Sequence, residues 1–181
     1  MSSDWKPVIL SRDITATTVP GGNAVQLNEG GEVEIFQQLG NSITLLTQMG
    51  TLLRIDGSDA DAVGLEPPVV PNASGDEPFD GSHVIQALKN VYDPEIPVNI
   101  VDLGLVYRCD EVPLPDDRRR IEVDMTMTAP GCGMGDVLSA DAERAIQAIP
   151  GVDEVEITLV WEPPWDMSRM TEETRLELGL L

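Results

Sequence analysis

The hydrophobic pattern of this chain changes its period once, and that change commits it to two differently built halves. Up to residue 56 the apolar residues fall in short runs rich in Val, Ile and Thr: Ile14–Val19, Ala24–Leu27, Glu32–Gln37, Ser42–Thr47 and Thr51–Ile55. Turn residues divide them at Pro20-Gly21-Gly22-Asn23, Asn28-Glu29-Gly30-Gly31, Gly40-Asn41 and Met49-Gly50. Val33 and Ile35 alternate with Glu32 and Glu34, as in a strand with one buried face. A small all-β domain, a barrel or a sandwich, is expected over residues 1–56. From Gly57 to Gly81 no period survives. Prolines, glycines and acids dominate, as in Glu66-Pro67-Pro68 and Pro71-Asn72-Ala73-Ser74-Gly75-Asp76-Glu77-Pro78, which predicts an acidic linker.

From Ser82 the spacing becomes helical. Ser82 is the expected N-cap of a helix that places Val84, Ile85, Leu88 and Val91 on one face, and Pro94 closes it. Leu103–Arg108 and Ile121–Met127 read as strands joined through a loop at Val112–Asp117, hence a hairpin. A helix is expected over Met134–Ile149, then a strand through Val155, Ile157, Leu159 and Trp161. Thr171 caps a short last helix ended by Gly179. The order α-β-β-α-β-α over residues 82–181 predicts a compact domain with a three-stranded sheet, so the whole chain is α+β.

Charge narrows the function. Eleven basic against 32 acidic side chains give a formal net charge of −21, which opposes binding to nucleic acid or to an anionic membrane. The run Arg118-Arg119-Arg120 reads as a solvated strand start and only weakly as a site for an acidic partner. The start of the chain lacks the pattern of a secretory signal, no apolar run approaches the roughly 20 residues of a membrane span, and two cysteines make no disulfide framework. A cytoplasmic protein with reduced thiols is expected.

Chemistry concentrates at Thr128-Ala129-Pro130-Gly131-Cys132-Gly133-Met134-Gly135-Asp136. A thiol just before a helix meets amide N–H groups and the positive end of the helix dipole, which favour the thiolate that ligates iron or attacks electrophiles. The flanking glycines allow close backbone approach, whereas the charge of Asp136 opposes the thiolate. These residues leave both a reactive Cys132 and a small buried one open. Cys109 reads as a core or edge thiol, and His83 as a surface residue. With no C-x-x-C pair and no further cysteine, a self-contained cluster or structural zinc site is excluded. Metal would need carboxylates, exogenous thiols or a second subunit.

A second group is Asp93-Pro94-Glu95-Ile96-Pro97-Val98-Asn99-Ile100-Val101-Asp102. It reads either as a stiff connection with solvated acids or as an acid group held toward the cysteine turn. In Trp161-Glu162-Pro163-Pro164-Trp165, core packing is expected for Trp161, with an interface anchor as the other reading. The first half offers no catalytic grouping. A biotinyl or lipoyl carrier is excluded, because the only lysines are Lys6 and Lys89.

Asp93-Pro94-Glu95 through Tyr107, followed by Met127-Thr128-Ala129-Pro130-Gly131-Cys132, resembles the small iron–sulfur assembly domain of PaaD-type and cytosolic iron–sulfur targeting proteins. The resemblance covers about residues 82–181. With an N-terminal β domain containing Gly40-Asn41-Ser42-Ile43-Thr44, the chain is similar to the SufT-type accessory proteins of the SUF pathway. The resemblance implies a non-enzymatic role in iron–sulfur cluster assembly. Cys132 is then the reactive or cluster-binding residue and a transient metal ligand, with Asp93, Glu95, Asp102 and Thr128 as the supporting site. It implies a transient iron–sulfur cluster or iron, none of it tightly bound. The implied partners are scaffold or carrier proteins and apo client proteins, and a homodimer sharing the cargo is compatible with it. Two other classes stay open: a thiol enzyme with Cys132 as nucleophile and Asp93 or Glu95 as base, and a pure interaction module.

Overall fold

The computed structural model describes residues 5–67, 78–131 and 133–180. The chain forms two compact units, Met1–Val70 and Pro71–Leu181. The strands of the first are β1 (Val8–Ile9), β2 (Ile14–Val19), β3 (Ala24–Leu27), β4 (Glu32–Leu39), β5 (Ser42–Leu46) and β6 (Leu52–Asp56). They pair antiparallel as one six-stranded sheet in the order β1-β4-β5-β6-β2-β3. β1 and β2 are joined directly by Leu10–Asp13 yet stand first and fifth in that order, so the sheet curls around its core. Leu10, Ile14, Ala16, Val33, Ile43, Leu45, Leu53 and Ile55 fill the inside.

The segment expected to open the linker does not. Gly57–Val63 is a 3-10 helix capped by Asp56, and its Ala60, Ala62 and Val63 are buried in the same core. Arg12 holds it from outside through Asp59 at 2.9 Å and Asp61 at 2.7 Å. Small residues alternating with acids look like a solvated connection, but about two turns of 3-10 helix suffice to bury the alanines. Residues 68–77 of the expected linker lie outside the described residues.

The second unit runs α1 (Gly81–Leu88), β7 (Val106–Pro113), β8 (Arg119–Met125), α2 (Gly135–Gln147), β9 (Glu154–Leu159) and α3 (Glu172–Glu177). β8 is the middle strand, antiparallel to β7 and parallel to β9, with α2 as the crossover that parallel pairing requires. Ile121, Val123 and Met125 face the core with Leu138, Ala142 and Ile146 of α2 and Val84 and Leu88 of α1. Between them, Arg120, Glu122 and Asp124 belong to a charged set. Arg108 reaches Asp124 and Asp110 at 2.8 Å each, and Arg120 reaches Glu122 and Glu156. Arg118 pairs with Glu154 and Arg119 with Glu111, so the arginine run is neutralised within its own sheet.

Three sequence expectations are displaced. α1 is capped by Asp80, which accepts the Ser82 N–H at 2.8 Å, because a carboxylate one residue before the helix outcompetes the serine inside it. That bond, together with one from the Ser82 side chain, also holds the Asp80 carboxyl below its usual range. β7 starts at Val106 instead of Leu103 and continues through Pro113, because Leu103 and Gly104 form a turn. β9 stops at Leu159; the last sheet bond, Val160 N–H to Met125 C=O, leaves Trp161 beyond the sheet and 45% exposed, not packed in the core. Among the described residues no helix is long and apolar enough to cross a membrane.

Candidate functional site

The acidic group lies on the loop between α1 and β7. Asp93 is 3% exposed, and its Oδ1 accepts the backbone N–H groups of Glu95 (2.8 Å) and Ile96 (3.0 Å). Pro94 suits this turn, since its fixed φ and missing N–H cost nothing there. Glu95 itself is exposed. The loop returns through a bridge between Tyr92 and Asn99 and a 3.1 Å bond from Asp93 N–H to Val98 C=O.

Asn99 then ties Asp102 to the loop. Its Nδ2 donates to Asp102 Oδ2 at 2.7 Å, while its Oδ1 accepts the N–H groups of Val101 (3.1 Å) and Asp102 (2.9 Å). Lys89 stands 3.6 Å from the other Asp102 oxygen. Asp93, Glu95 and Asp102 are therefore parts of one bonded loop. Asn99 was visible in the sequence only as a motif letter. Its role follows from its near-complete burial beside two backbone donors.

Thr128 sits half-buried past the end of β8, where Thr126 N–H bonds Leu105 C=O at 2.8 Å. Gly131 has φ +79°, the left-handed region, and among the described residues nothing stands within 4 Å of where a Cβ would be. Cys132 lies outside the described residues. Gly133 and Met134 continue the turn, and Gly135 opens α2 against Leu159. Met134 is buried at the N-cap of α2 and supplies no side-chain cap. The other helical segments start on Asp56, Asp80, Asp166 and Thr171, each with a side-chain acceptor. The helix after the cysteine turn thus begins without the device used everywhere else among the described residues.

Cys109 lies half-buried on β7, where burial and neighbouring Asp110 push its thiol up from the ordinary range. Among the described residues no group of three or more His, Cys, Asp and Glu side chains could hold a metal ion.

A family model described as an iron–sulfur cluster assembly protein matches residues 82–159, which span the acidic loop, the cysteine turn and the sheet. An Fe-S protein maturation auxiliary factor of Porphyromonas gingivalis is 42% identical over 98 residues, covering 54% of this chain and 90% of that protein. The Fe-S protein maturation auxiliary factor SufT of Staphylococcus aureus is 37% identical over 90 residues, 50% of this chain and 98% of that protein. An iron-sulfur cluster carrier protein of Synechocystis is 27% identical over 85 residues, 47% of this chain and 23% of that protein. The chain belongs to the iron–sulfur cluster assembly protein family. The first unit and the tail after residue 159 lie outside the family match.

Proposed function

We propose that this protein is an accessory factor in iron–sulfur cluster assembly or in transfer to client proteins, working through Cys132 without turning over a substrate. The observation that carries this reading is the family match running through both motif segments, Asp93–Tyr107 and Met127–Cys132. Iron or a cluster is cargo in this reading. One motif cysteine provides an incomplete ligand set, and a carrier, a client or a second copy of the chain completes it. Such a shared site releases its cargo readily, because no single molecule supplies every ligand. α2 starts without a side-chain cap, and the positive end of its dipole favours the negative charge of a thiolate or cluster sulfur carried by a residue just before it in the sequence. Asp93, Glu95, Asp102 and Thr128 frame the site, and the cytoplasm is where such partners and reduced thiols coexist.

The thiol-enzyme alternative is weaker on geometry. Asp93 is buried with one carboxylate oxygen committed to two backbone amides of its own loop, and Glu95 stands exposed to solvent, so the first serves the loop's own bonding and the second is not a desolvated base. The test is anaerobic incubation with ferrous iron and sulfide, an iron count, and transfer to apo-ferredoxin followed by visible absorption. Wild type is expected to take up iron and pass it on, and Cys132→Ala to lose both. Equal uptake and equal transfer by Cys132→Ala would overturn the cysteine's role.

A further inference from the structure

The segment past the family match reaches back onto the acidic loop. Asp102 and Leu103 present successive carbonyls, and both are taken by donors from the tail. Thr171 N–H bonds Asp102 C=O at 3.0 Å, and the Trp165 indole N–H bonds Leu103 C=O at 2.8 Å. Gly104 follows with φ +72°, and a Cβ there would stand 2.2 Å from the Arg169 carbonyl oxygen. Tyr107 then donates to Pro163 C=O at 2.8 Å, and the Arg169 guanidinium lies 4.3 Å from the Tyr107 ring centre. Tail and turn therefore meet backbone to backbone.

The turn spends its own amides internally, Leu103 N–H on Asn99 C=O, Gly104 N–H on Val101 C=O and Leu105 N–H on Ile100 C=O. Ile100, Leu103 and Leu105 are wholly buried. Loss of the tail would leave the two carbonyls beside them short of donors, a costly state in a dry setting. The bonded path runs onward from Asp102 to Asn99, and through the Tyr92–Asn99 bridge to Asp93.

We propose that Trp165–Thr171 is a strap that positions the Asp93–Asp102 loop, with Trp165 as a positioning residue, so that the working unit extends beyond the family match. What the loop does once positioned rests on the reading given under Proposed function. Trp165→Phe keeps an aromatic ring and removes the donor. Thr171→Pro removes the amide donor at a φ of −60° that proline fits, and Thr171→Ala, which keeps that amide and loses only the hydroxyl cap, is its control.

The readout is the rate constant for transfer to apo-ferredoxin per iron loaded, which corrects for any loss of folded protein. Trp165→Phe and Thr171→Pro are expected to lower it about fivefold, the weight of one hydrogen bond, with Thr171→Ala close to wild type. Amide hydrogen exchange at Asn99–Gly104 is expected to quicken in the same two variants. Wild-type rate constants in both variants overturn the proposal, even if loading or melting temperature falls. Failure of the wild type to load iron overturns the cargo reading alone. The strap is then decided by exchange, and unchanged protection in Trp165→Phe and Thr171→Pro overturns it.

Discussion

The acidic loop and the cysteine turn belong to one motif pattern but are built by opposite means. The loop is held at several points: Asp93 accepts two of its amides, Asn99 braces its middle, and the tail satisfies the carbonyls at its end. On either side of Cys132, Gly131 takes a left-handed φ and α2 begins without a side-chain cap. Rigid placement suits groups that must frame a site. A helix start without a side-chain cap suits a position proposed to accept a cargo and give it up. Under the proposed function, the first is the fixed part of the site and the second the exchanging part.

Two glycines with positive φ make the sharpest test of that contrast. Gly104→Ala must adopt a left-handed conformation and also push Cβ into the Arg169 backbone, 2.2 Å away. We expect a loss of about 3 kcal/mol or more in urea unfolding, since neither backbone can yield cheaply. Gly131→Ala meets open space at a similar φ, +79°. Its cost should be about 1 kcal/mol, the conformational penalty alone. Equal losses at the two positions would remove the distinction between a packed loop and an open turn.

Asn99→Ala falls between them. It removes one bond to Asp102 and two acceptances from the backbone, and should cost about 2 kcal/mol in the same measurement. The loss should also appear as faster amide exchange at Val101 and Asp102. Protection unchanged at those two amides would mean that the loop stands without its brace.

The sequence discloses these regions unequally, for physical reasons. Ile14–Val19 and Ala24–Leu27 are found where alternation and turn residues place them, because each strand is a local pattern bounded by Gly, Pro or Asn. Val8–Ile9 is too short to carry a period, and the buried turn Gly57–Val63 has the composition of a linker. Leu103 and Leu105 alternate like a strand, yet the left-handed Gly104 between them makes a turn that the tail packs against. The bond from Trp165 to Leu103 spans 62 residues and leaves no trace in local spacing. At the site, the proline-fixed acids are legible from residue type, whereas the bracing by Asn99 and the strap need coordinates. The core placement expected for Trp161 fails for the same reason. The strand ends before Trp161, and the second tryptophan, not the first, packs against the fold.

The smallest effect bears directly on the cysteine turn. Asp136 lies exposed in the first turn of α2, where its charge opposes a thiolate upstream while favouring the helix itself. Asp136→Asn should therefore speed alkylation of Cys132 by iodoacetamide about threefold at neutral pH, on the scale of one charge at a helix end. Cys109 supplies an internal reference in the same molecule. Its thiol is pushed up by burial, so its labelling should stay slow at neutral pH and rise only as pH climbs past the ordinary thiol range. Residue-resolved mass spectrometry across pH separates the two. A Cys132 that labels no faster than Cys109 and ignores Asp136→Asn would show that the start of α2 does not act on the thiol, and the open turn would then be a feature of the chain path alone.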